Sequence, residues 1–461
     1  MAALNIVIMA AGKGTRMKSA LPKVLHRLAG RSLLAHVLAS TEGLQAGARR
    51  IVVTGHGAEQ VEAAVGAPGI AFVRQMPQLG TGHAVQQAVP ALEDGGVTLI
   101  LNGDVPLIQT VTAQRLVEAC GGGKLALLTI ELADPSGYGR IVRQGEAVQA
   151  IVEHKDATPE QRRITEGYTG MMAAPTAALK RWLAQLKNDN AQKEYYLTDI
   201  VAMAVAEGVQ VLGIAAPDET EVLGVNSPVQ LADLERRYQR QQAVALMDGF
   251  GVRLADPARF DLRGTLDCGS DVEIDVNCVF EGKVRLGEGV KIGANCVIRN
   301  ADIAAGAVIK EFTHIDGESQ GASVGEGSLI GPYARLRPGA QLGREVHIGN
   351  FVEVKNSTLA DGAKANHLAY LGDASVGERV NYGAGSITAN YDGANKHRTE
   401  IGADVHVGSN CVLIAPVTIG AGATIGGGST ITKPVEAGSL AVARGRQVAI
   451  SGWVRPVKAK K

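Results

Sequence analysis

The sequence predicts two domains: an open α/β sheet in the first half and a parallel β-helix in the second. Three observations lead to this prediction. The chain has 461 residues, more than one hydrophobic core usually holds. Up to about residue 225, apolar strand-like runs alternate with helical patterns. From Leu286 onward, the apolar period changes to six residues.

The first half alternates between strand-like and helix-like segments. "LNIVIM" precedes "SLLAHVLAS", "RIVVTG" precedes "AEQVEAAV", and "VTLILNGD" follows "GHAVQQAVPAL". Such alternation predicts βαβ units in a mostly parallel sheet, which binds ligands at the carboxyl ends of its strands. We assign this domain to residues 1–228.

A helix is predicted to link the two domains. Asn226-Ser227-Pro228 offers an N-cap followed by Pro at the first helical position. A loose apolar stripe then runs through a charged segment, formed by Leu231, Leu234, Tyr238, Ala245 and Leu246. We assign the linking helix to residues 229–249.

The second half, residues 250–461, carries hexapeptide repeats. Two series of six apolar residues recur every sixth position: Val324, Ile330, Leu336, Leu342, Ile348 and Val354, then Ile401, Val407, Leu413, Ile419, Ile425 and Ile431. This period predicts a parallel β-helix in which three short strands close one triangular coil of 18 residues. The hexapeptide form resembles the left-handed parallel β-helix, an exception to the right-handed crossover rule. The repeated residue of each hexad points inward, and small residues, Cys296 and Cys411 among them, fill the turns.

Composition excludes several classes of function. Lys plus Arg equals Asp plus Glu at 46 each, and the only strongly basic stretch is the terminal "KAKK", which argues against a nucleic-acid partner. Five cysteines form no C-x-x-C pair, which favours a reduced compartment over disulfides or a metal site. The N-terminal run "LNIVIMAAG" is too short to span a bilayer. We therefore expect a soluble, cytoplasmic protein with no membrane partner.

The stretch "MAAGKGTRM", residues 9–17, predicts a phosphate-binding loop of neither common type. Gly12 and Gly14 fit the first two glycines of G-x-G-x-x-G, but Met17 stands where the third should be. A Walker loop needs Lys directly after its last Gly, whereas Lys13 lies between the two.

Two cations in the β-helix are separated by one whole coil. Arg337 and Lys355 are 18 residues apart, so they should stack on one corner with backbones roughly 5 Å apart. Stacked cations repel, and the fold does not require them. They form either a solvated charged edge or a shared site for an anion, most simply a phosphate. Arg335 and Glu353, also 18 apart, should neutralise each other.

The hexad count slips twice, between Val354 and Leu371 and again over Thr388–Glu400. Loops expelled from a rigid scaffold often carry chemistry. His367 lies in the first slip and is either a general base or a structural residue. Asn390 and Tyr391 lie in the second loop and are equally compatible with an ordinary turn.

Several motifs together resemble a known family. "MAAGKGTRMKSALPK" resembles the L-x-A-G-x-G-T-R-M…P-K signature of sugar-phosphate nucleotidyltransferases. "QLGTGHA", "GDVPL", "GYGRI", "IVEHKDA" and "GVN" continue it in order, and "GPYARLRPGA", "GNFVEVKNS", "HLAYLGD", "NYDGANK" and "RPVK" extend it through the second half. The whole chain is similar to the bacterial family of bifunctional UDP-N-acetylglucosamine pyrophosphorylases and glucosamine-1-phosphate N-acetyltransferases.

The resemblance implies a Rossmann-like nucleotidyltransferase domain that uses UTP and Mg²⁺. Arg16 and Lys23 would neutralise the phosphates, and Asp104 and Asn226 would hold the metal. The implied nucleotide- and sugar-binding residues are Met9, Ala10, Ala11, Gly12, Lys23, Gln75, Gly80, Thr81, Gly103, Asp104, Gly139, Glu153 and Asn226.

The resemblance also implies an acetyltransferase in the β-helix, with acetyl-CoA as co-substrate and His367 as general base. Arg337 and Lys355 would clamp the sugar phosphate, in agreement with the stacking prediction. Tyr370 and Asn381 would orient the sugar, and the acetyl-CoA path would include Ala384, Asn390, Tyr391, Ser409, Gly427 and Arg444. In the family these sites lie between neighbouring β-helices, which implies a homotrimer.

Two positions depart from the family pattern. Asn102 stands where the family often has Tyr, and Tyr168 stands where it usually has a sugar-binding Asn, which puts the sugar contact in question. Two rival hypotheses are a nucleotidyltransferase with a non-catalytic β-helix and a non-catalytic scaffold. The first has no need of His367 with its cations, and the second has no need of Arg16, Lys23 and Asp104.

Overall fold

A computed structural model describes residues 3–458. Of the terminal "KAKK" run, only Lys458 lies within this range. The chain divides into two compact units between Tyr238 and Gln239. This division falls inside the helix predicted over 229–249, which extends from Pro228 to Phe250.

The first unit is a nine-stranded sheet with helices on both faces. Its strands are β1 Leu4–Ala10, β2 Arg27–Leu28, β3 Arg31–Ser32, β4 Arg49–Thr54, β5 Ile70–Arg74, β6 Val97–Asn102, β7 Leu125–Glu131, β8 Gly139–Gln144, β9 Ala147–Val152, β10 Glu166–Pro175 and β11 Val211–Ala215. Its helices are α1 Leu33–Ser40, α2 Ala58–Val65, α3 Thr81–Ala88, α4 Thr110–Ala119, α5 Thr176–Leu183 and α6 Asp199–Ala206, and α7 Pro228–Phe250 begins in this unit and ends in the second. β2 and β3 form a separate two-stranded ribbon.

The main sheet has the order β11-β7-β10-β6-β1-β4-β5. β6, β1, β4 and β5 are parallel, as the alternating pattern predicts, whereas β10 runs antiparallel to β6 and β7. Apart from the buried Asn5, strand β1 is apolar because both faces of the sheet are covered, and Ile6, Val7 and Ile8 are fully buried. The carboxyl ends of the parallel strands therefore form one edge, where the loops after β1, β5 and β6 meet.

Helix α7 begins as predicted. The Ser227 hydroxyl accepts a hydrogen bond from the Gln230 amide at 3.3 Å, and the Gln230 side chain accepts one from the Asn226 amide at 2.9 Å. One residue of the predicted stripe is wrong: Ala245 is exposed and Ala243 is buried in its place.

The second unit is a three-sided parallel β-helix of the predicted class. Face I consists of β12 Arg253–Leu254, β14 Glu273–Ile274, β16 Lys291–Ile292, β18 Val308–Ile309, β21 Leu329–Ile330, β24 His347–Asn350, β27 Lys364–His367, β30 Asn381–Tyr382, β33 His406–Val407, β36 Thr424–Ile425 and β38 Leu440–Ala441.

Faces II and III share the other sheet. Three long strands cross both faces: β13 Phe260–Cys268, β15 Cys278–Leu286 and β17 Val297–Ile303. Face II continues with β19 His314–Asp316, β22 Arg335–Leu336, β25 Glu353–Lys355, β28 Tyr370–Gly372, β31 Ile387–Ala389, β34 Val412–Ile414 and β37 Thr430–Ile431. Face III continues with β20 Ala322–Val324, β23 Gln341–Leu342, β26 Thr358–Leu359, β29 Ala374–Val376, β32 Thr399–Ile401 and β35 Val417–Ile419.

The hexad positions predicted to point inward are buried. All twelve residues of the two series are at most 5% exposed, and the fillers Cys296 and Cys411 are fully buried. Parallel pairing begins before the clean hexads, at β12 and β13, because long strands form the early coils. We call the turn from face I to face II corner 1, and the turn from face II to face III corner 2.

Candidate active sites

The loop after β1 requires glycine at Gly14. Its φ is +60°, and a Cβ there would lie 2.7 Å from the Cβ of Lys23. A Cβ on Gly12, in contrast, would meet no atom within 4 Å. The loop thus presses its backbone against Lys23 while leaving open space at Gly12, so that a ligand can approach the main chain.

A cleft of about 470 Å³ opens above this loop at the carboxyl edge of the sheet. Most of the predicted nucleotide-binding residues line it: Met9, Ala10, Ala11, Gly12, Arg16, Lys23, Gln75, Gly80, Thr81, Asp104 and Asn226. Gly103 lies just behind the wall, where its amide donates to the Met9 carbonyl at 2.9 Å. Gly139 and Glu153 lie elsewhere.

Lys23 connects the two predicted metal ligands. Its ammonium donates to Asp104 Oδ2 and to Asn226 Oδ1, the latter at 3.0 Å. The Asp104 carbonyl in turn accepts the Val225 amide at 2.9 Å, which fixes the segment carrying Asn226. Two oxygens from distant parts of the chain thus converge on a single cationic group.

Gln75 and Thr81 are held from within the protein. Gln75 is 3% exposed, and its amide nitrogen donates to the Gly80 carbonyl at 2.9 Å. Thr81 Oγ1 accepts the Leu197 amide at 3.1 Å. This part of the cleft wall is therefore rigid before any ligand arrives.

A second cavity of about 310 Å³ contains Glu153. Burial raises the pKa of Glu153; the Thr198 hydroxyl, which donates at 3.1 Å, lowers it, and the nearby carboxylates of Asp156 and Asp199 raise it further. Gly139 adjoins this carboxylate, since a Cβ there would lie 3.8 Å from Glu153 Oε1 and 2.8 Å from Ile151 Cγ2. Gly139 and Glu153 thus lie together, as the resemblance implies.

Corner 2 of the β-helix gathers the predicted phosphate clamp. Arg335 pairs with Glu353 and Leu336 with Val354 in register, and the Arg337 amide donates to the Val354 carbonyl at 2.8 Å. Arg337 and Lys355 therefore stack on one corner, which confirms the coil-spacing prediction. The predicted Arg335–Glu353 pair forms at 3.4 Å, and Glu353 also binds Arg337 at 2.9 Å.

Tyr370 completes this group. It pairs with Glu353 in the next coil, and a Cβ on Gly372 would lie 2.2 Å from the Tyr370 hydroxyl. Because Gly372 stacks directly on Lys355, the missing side chain leaves room for the tyrosine hydroxyl at corner 2.

Corner 1 gathers His367 and four of the six residues predicted to line the acetyl-CoA path. His367 follows the face I residue Ala365 by two positions, and the three next coils place Ala384, Ser409 and Gly427 at the same position. Backbone bonds link the column: the Asn410 amide donates to the Ala384 carbonyl at 2.7 Å and the Gly428 amide to the Ser409 carbonyl at 2.8 Å. Arg444 joins its end by donating to the Gly427 carbonyl at 2.7 Å.

His367 is exposed and oriented by a neighbour. Its Nδ1 lies 2.9 Å from Oδ1 of Asn350, which is one coil below. An amide oxygen only accepts, so Nδ1 carries the proton and Nε2 keeps a lone pair toward solvent. This is the tautomer that a general base needs.

The remaining predicted residues separate. Asn381 is exposed on face I, where its Nδ2 lies 3.1 Å from His406 Nδ1. Face II separates it from Lys355 at corner 2. Asn390 is 9% exposed and donates to Asp373, while Tyr391 is 61% exposed. The expelled loop between β31 and β32 thus begins in the core and projects its next residue outward.

Comparisons with known proteins place both units. Residues 6–187 match the model of the MobA-like NTP transferase domain. The bacterial transferase hexapeptide model matches residues 268–300, 321–356 and 398–433. The chain is 74% identical to the "Bifunctional protein GlmU" of Methylibium petroleiphilum strain PM1, over 99% of both chains.

The chain belongs to the GlmU family of bifunctional proteins.

Other GlmU proteins agree over full length. That of Acidovorax sp. strain JS42 is 69% identical over 100% of both chains, and that of Aromatoleum aromaticum strain EbN1 is 58% identical over 99% of both. The chain is therefore an enzyme with two transferase activities, nucleotidyl transfer in the first unit and acyl transfer in the second. Membership in the GlmU family sets aside the single-activity and scaffold hypotheses. Within residues 3–458, no helix is long and apolar enough to cross a membrane.

Lys396 is a candidate that the sequence prediction missed. It returns to corner 2 from the expelled loop, where a bridge between Tyr391 and Lys396 closes a hairpin. The adjacent Lys396 ammonium is the main cause that lowers the pKa of Lys355; burial and Arg337 lower it further, and Asp373 acts in the opposite direction. The quoted motif "NYDGANK" ends on this lysine, but only the hairpin brings it to Lys355.

The segment 189–199 was also missed. Glu194 lines the first cleft, and Asn190, Tyr196, Thr198 and Asp199 line the cavity of Glu153. The signal was the polar run "DNAQKEYYLTD" between two helical patterns.

The two departures from the family pattern lie close together. Tyr168 pairs with Gly139 across β8 and β10, is 7% exposed, and has a buried hydroxyl without a partner among the described residues. Asn102 lines the first cleft and donates to the carbonyl of Thr169, the next residue after Tyr168, at 3.3 Å. Both departures therefore touch the same segment of β10.

Proposed function

We propose that this enzyme makes UDP-N-acetylglucosamine in two steps. The second unit transfers the acetyl group of acetyl-CoA to the amine of glucosamine-1-phosphate. The first unit then transfers UMP from UTP to N-acetylglucosamine-1-phosphate and releases pyrophosphate. The proposal places the enzyme in the cytoplasm, where nucleoside triphosphates and acetyl-CoA are available.

Uridylyl transfer needs positioning and charge neutralisation more than acid–base chemistry, because both reactants are anions. The loop from Met9 to Gly14 presents backbone amides to the phosphates, and Arg16 and Lys23 supply positive charge at the same cleft. The rigid wall that reads the uracil of UTP is formed by Gln75, Gly80 and Thr81. The sugar-phosphate oxygen then attacks the α-phosphorus in line with the departing pyrophosphate.

Mg²⁺ fits the oxygens of Asp104 and Asn226. Both are hard donors, and they already converge on one cation, the Lys23 ammonium. No set of three or more His, Cys, Asp or Glu side chains in residues 3–458 is placed to hold a metal, so the substrate phosphates would complete the shell. When bound, Mg²⁺ supplies neutralisation of phosphate charge.

N-acetylglucosamine-1-phosphate is assigned to the cavity of Gly139 and Glu153. Gly139 leaves room for a ring close to the backbone, and the Glu153 carboxylate accepts hydrogen bonds from sugar hydroxyls. Tyr168 takes the position of the family's Asn beside them, so the sugar contact there is made by a different group.

Acetyl transfer requires an amine to attack a thioester and lose a proton. Arg337, Lys355 and Lys396 hold the sugar phosphate at corner 2. Nε2 of His367, at corner 1, accepts the proton, a role typically worth about 10²–10⁴-fold in rate. Ser409 is positioned in the corner 1 column to donate to the thioester oxygen. Acetyl-CoA lies along that column, where the small residues Ala384 and Gly427 leave space.

One chain does not assemble every group. Face II separates His367 from Lys355, and Asn381 belongs to face I. We therefore infer that neighbouring β-helices complete the site and that the enzyme is a homotrimer.

An exposed aromatic column supports this inference. It runs up corner 1 immediately beside His367 and comprises the three rings of Phe312, Tyr333 and Phe351, followed by Leu368, each 47–62% exposed. Phe312 and Tyr333 stack at 4.9 Å between ring centroids, and Tyr333 and Phe351 at 5.4 Å. Aromatic residues form only 4% of the chain, so their concentration on one exposed edge points to a buried subunit contact.

The observation that carries the proposal is that each unit separately gathers cationic side chains that its own packing does not require. A coupled assay with UTP, acetyl-CoA and glucosamine-1-phosphate, read by mass, tests it. The expected products are UDP-N-acetylglucosamine, coenzyme A and pyrophosphate. A different nucleotide sugar, or no acetylated product, would refute the assignment.

A further inference from the structure

Asp373 is a buried carboxylate at the centre of corner 2 that the proposed mechanism does not use. It is 7% exposed and stands at a left-handed φ of +50°. Its Oδ1 accepts the Asn356 amide at 2.5 Å, and its Oδ2 accepts the Asn390 amide. A carboxylate that is buried needs such donors, because an unpaired buried charge is costly.

The backbone of Asp373 also forms hydrogen bonds, both to corner 2 and to the end of the expelled loop. Its amide donates to the Lys355 carbonyl at 3.1 Å, and its carbonyl accepts the Thr399 amide at 3.1 Å. Asn390 and Thr399 are the two residues that flank the expelled loop, and Asn356 follows Lys355. One residue therefore ties both ends of the loop to the corner that carries the clamp.

The loop between these ends is rigidly folded. The Asp392 carboxylate accepts the Ala394 and Asn395 amides at 2.8 and 2.6 Å, and the His397 amide donates to the Asn390 carbonyl at 2.8 Å. Because the hairpin is internally fixed, the direction of Lys396 depends on how the two ends of the hairpin are anchored. Asp373 supplies that anchor.

Three cations crowd corner 2: Arg337, Lys355 and Lys396. Glu353 neutralises Arg337 from face II, and the Asp373 charge acts on Lys355 from the next coil. If the two ends of the hairpin were not held in place, repulsion between Lys355 and Lys396 would drive the hairpin away from Lys355.

We propose that Asp373 is a positioning residue for acetyl transfer that holds Lys396 against Lys355 and so sets the affinity for the sugar phosphate. It does not touch the substrate. This inference rests on the proposed phosphate clamp and adds to it the group that assembles the clamp.

Asp373→Asn is the direct variant, since Asn also tolerates the left-handed backbone. The amide nitrogen that it introduces faces the side-chain amide of Asn356 or of Asn390, both of which are donors, and the negative charge is lost. We expect the KM for glucosamine-1-phosphate to rise about tenfold, the loss typical of one charged hydrogen bond, with kcat changed less. Asp361→Asn is the matched control, because it removes an exposed carboxylate paired with Arg344 at another corner; its KM should stay at the wild-type value.

A second substitution separates hydrogen bonding from general destabilisation. Asp373→Asn combined with Asn356→Asp exchanges amide and carboxylate, and so restores both the bond and the charge beside Lys355. We expect this double variant to recover most of the lost affinity. If Asp373→Asn does not fold, the double variant still decides: wild-type KM supports the inference, and a KM as high as that of Lys396→Met overturns it.

Coupling to Lys396 completes the test. Lys396→Met alone should raise the same KM, and adding Asp373→Asn should raise it little further, because both act through one group. Two outcomes would overturn the inference about Asp373 but leave the proposed clamp standing. One is that the two substitutions have fully additive effects on the KM, and the other is that Asp373→Asn leaves the KM unchanged while Lys396→Met raises it. An unchanged KM in Lys396→Met would overturn the role of Lys396 in the clamp, and the inference with it.

Discussion

Glu153 is a side chain whose ionisation its surroundings oppose. Burial and the carboxylates of Asp156 and Asp199 raise its pKa above the ordinary glutamate value, so it takes up a proton at higher pH than an exposed glutamate does as the pH falls. If the carboxylate binds the sugar, the KM for N-acetylglucosamine-1-phosphate must rise as the pH falls through this raised pKa.

Measuring that KM in uridylyl transfer over about pH 5 to 8 tests the assignment. Glu153→Gln should give a high KM with little pH dependence, whereas Glu118→Gln, an exposed control on α4, should follow the wild-type curve. A pH dependence that survives in Glu153→Gln would place the titrating group elsewhere.

Asn350 is a second single residue with a predicted effect, because its side-chain oxygen orients the His367 imidazole. Removing its oxygen in Asn350→Ala frees the imidazole to rotate and to adopt the other tautomer. We expect kcat for acetyl transfer to fall about 3- to 10-fold, the loss typical of one hydrogen bond. Gln341→Ala, an exposed control on face III, should leave kcat unchanged; a wild-type kcat in Asn350→Ala would contradict an orienting role.

At the scale of elements, the loop after β1 couples backbone geometry to Lys23. Gly14→Ala strains a left-handed residue and also pushes on the Lys23 Cβ, whereas Gly47→Ala strains a residue with a φ of +80° and no neighbour within 4 Å. Gly47→Ala should lose about 1 kcal/mol of unfolding free energy, and Gly14→Ala at least as much. Only Gly14→Ala should reduce uridylyl transfer, by tenfold or more; equal activities in the two variants would dissociate the loop from Lys23.

Elements also show what the sequence could predict. Strict hexads predicted every inward side chain from Val324 to Val354, and coil arithmetic alone predicted that Arg337 and Lys355 stack, because the register of a parallel coil is fixed by its length. The early coils escaped prediction because β13, β15 and β17 run as long strands across two faces.

Long-range contacts account for what was missed at the sites. Lys396 reaches Lys355 only through a hairpin anchored by Asp373, and nothing in the local pattern gives that hairpin's direction. Ala243 replaces Ala245 in the stripe of α7 because tertiary packing, rather than helical period, selects the buried face. The roles taken from family likeness in the first unit, such as Gln75 and Gly80, had no independent pattern behind them.

At the scale of the whole molecule, the aromatic column predicts assembly. Phe351→Ser removes the last ring of the stack, and combined with Tyr333→Ser it should shift the proposed trimer toward smaller species in native mass spectrometry. Val229→Ser, which removes an apolar side chain 79% exposed on α7, is the control and should leave the trimer intact. Acetyl transfer should fall together with assembly, since one chain lacks part of the site; a full trimer in the double variant would refute the contact.

The central claim is that two independent active sites lie in two units of one chain. Rates of both half-reactions in Asp104→Ala and in His367→Ala test it most directly. We expect Asp104→Ala to lose uridylyl transfer and keep acetyl transfer, His367→Ala to do the reverse, and an equimolar mixture to make UDP-N-acetylglucosamine again. Loss of both activities in either folded variant, or no product from the mixture, would contradict the claim.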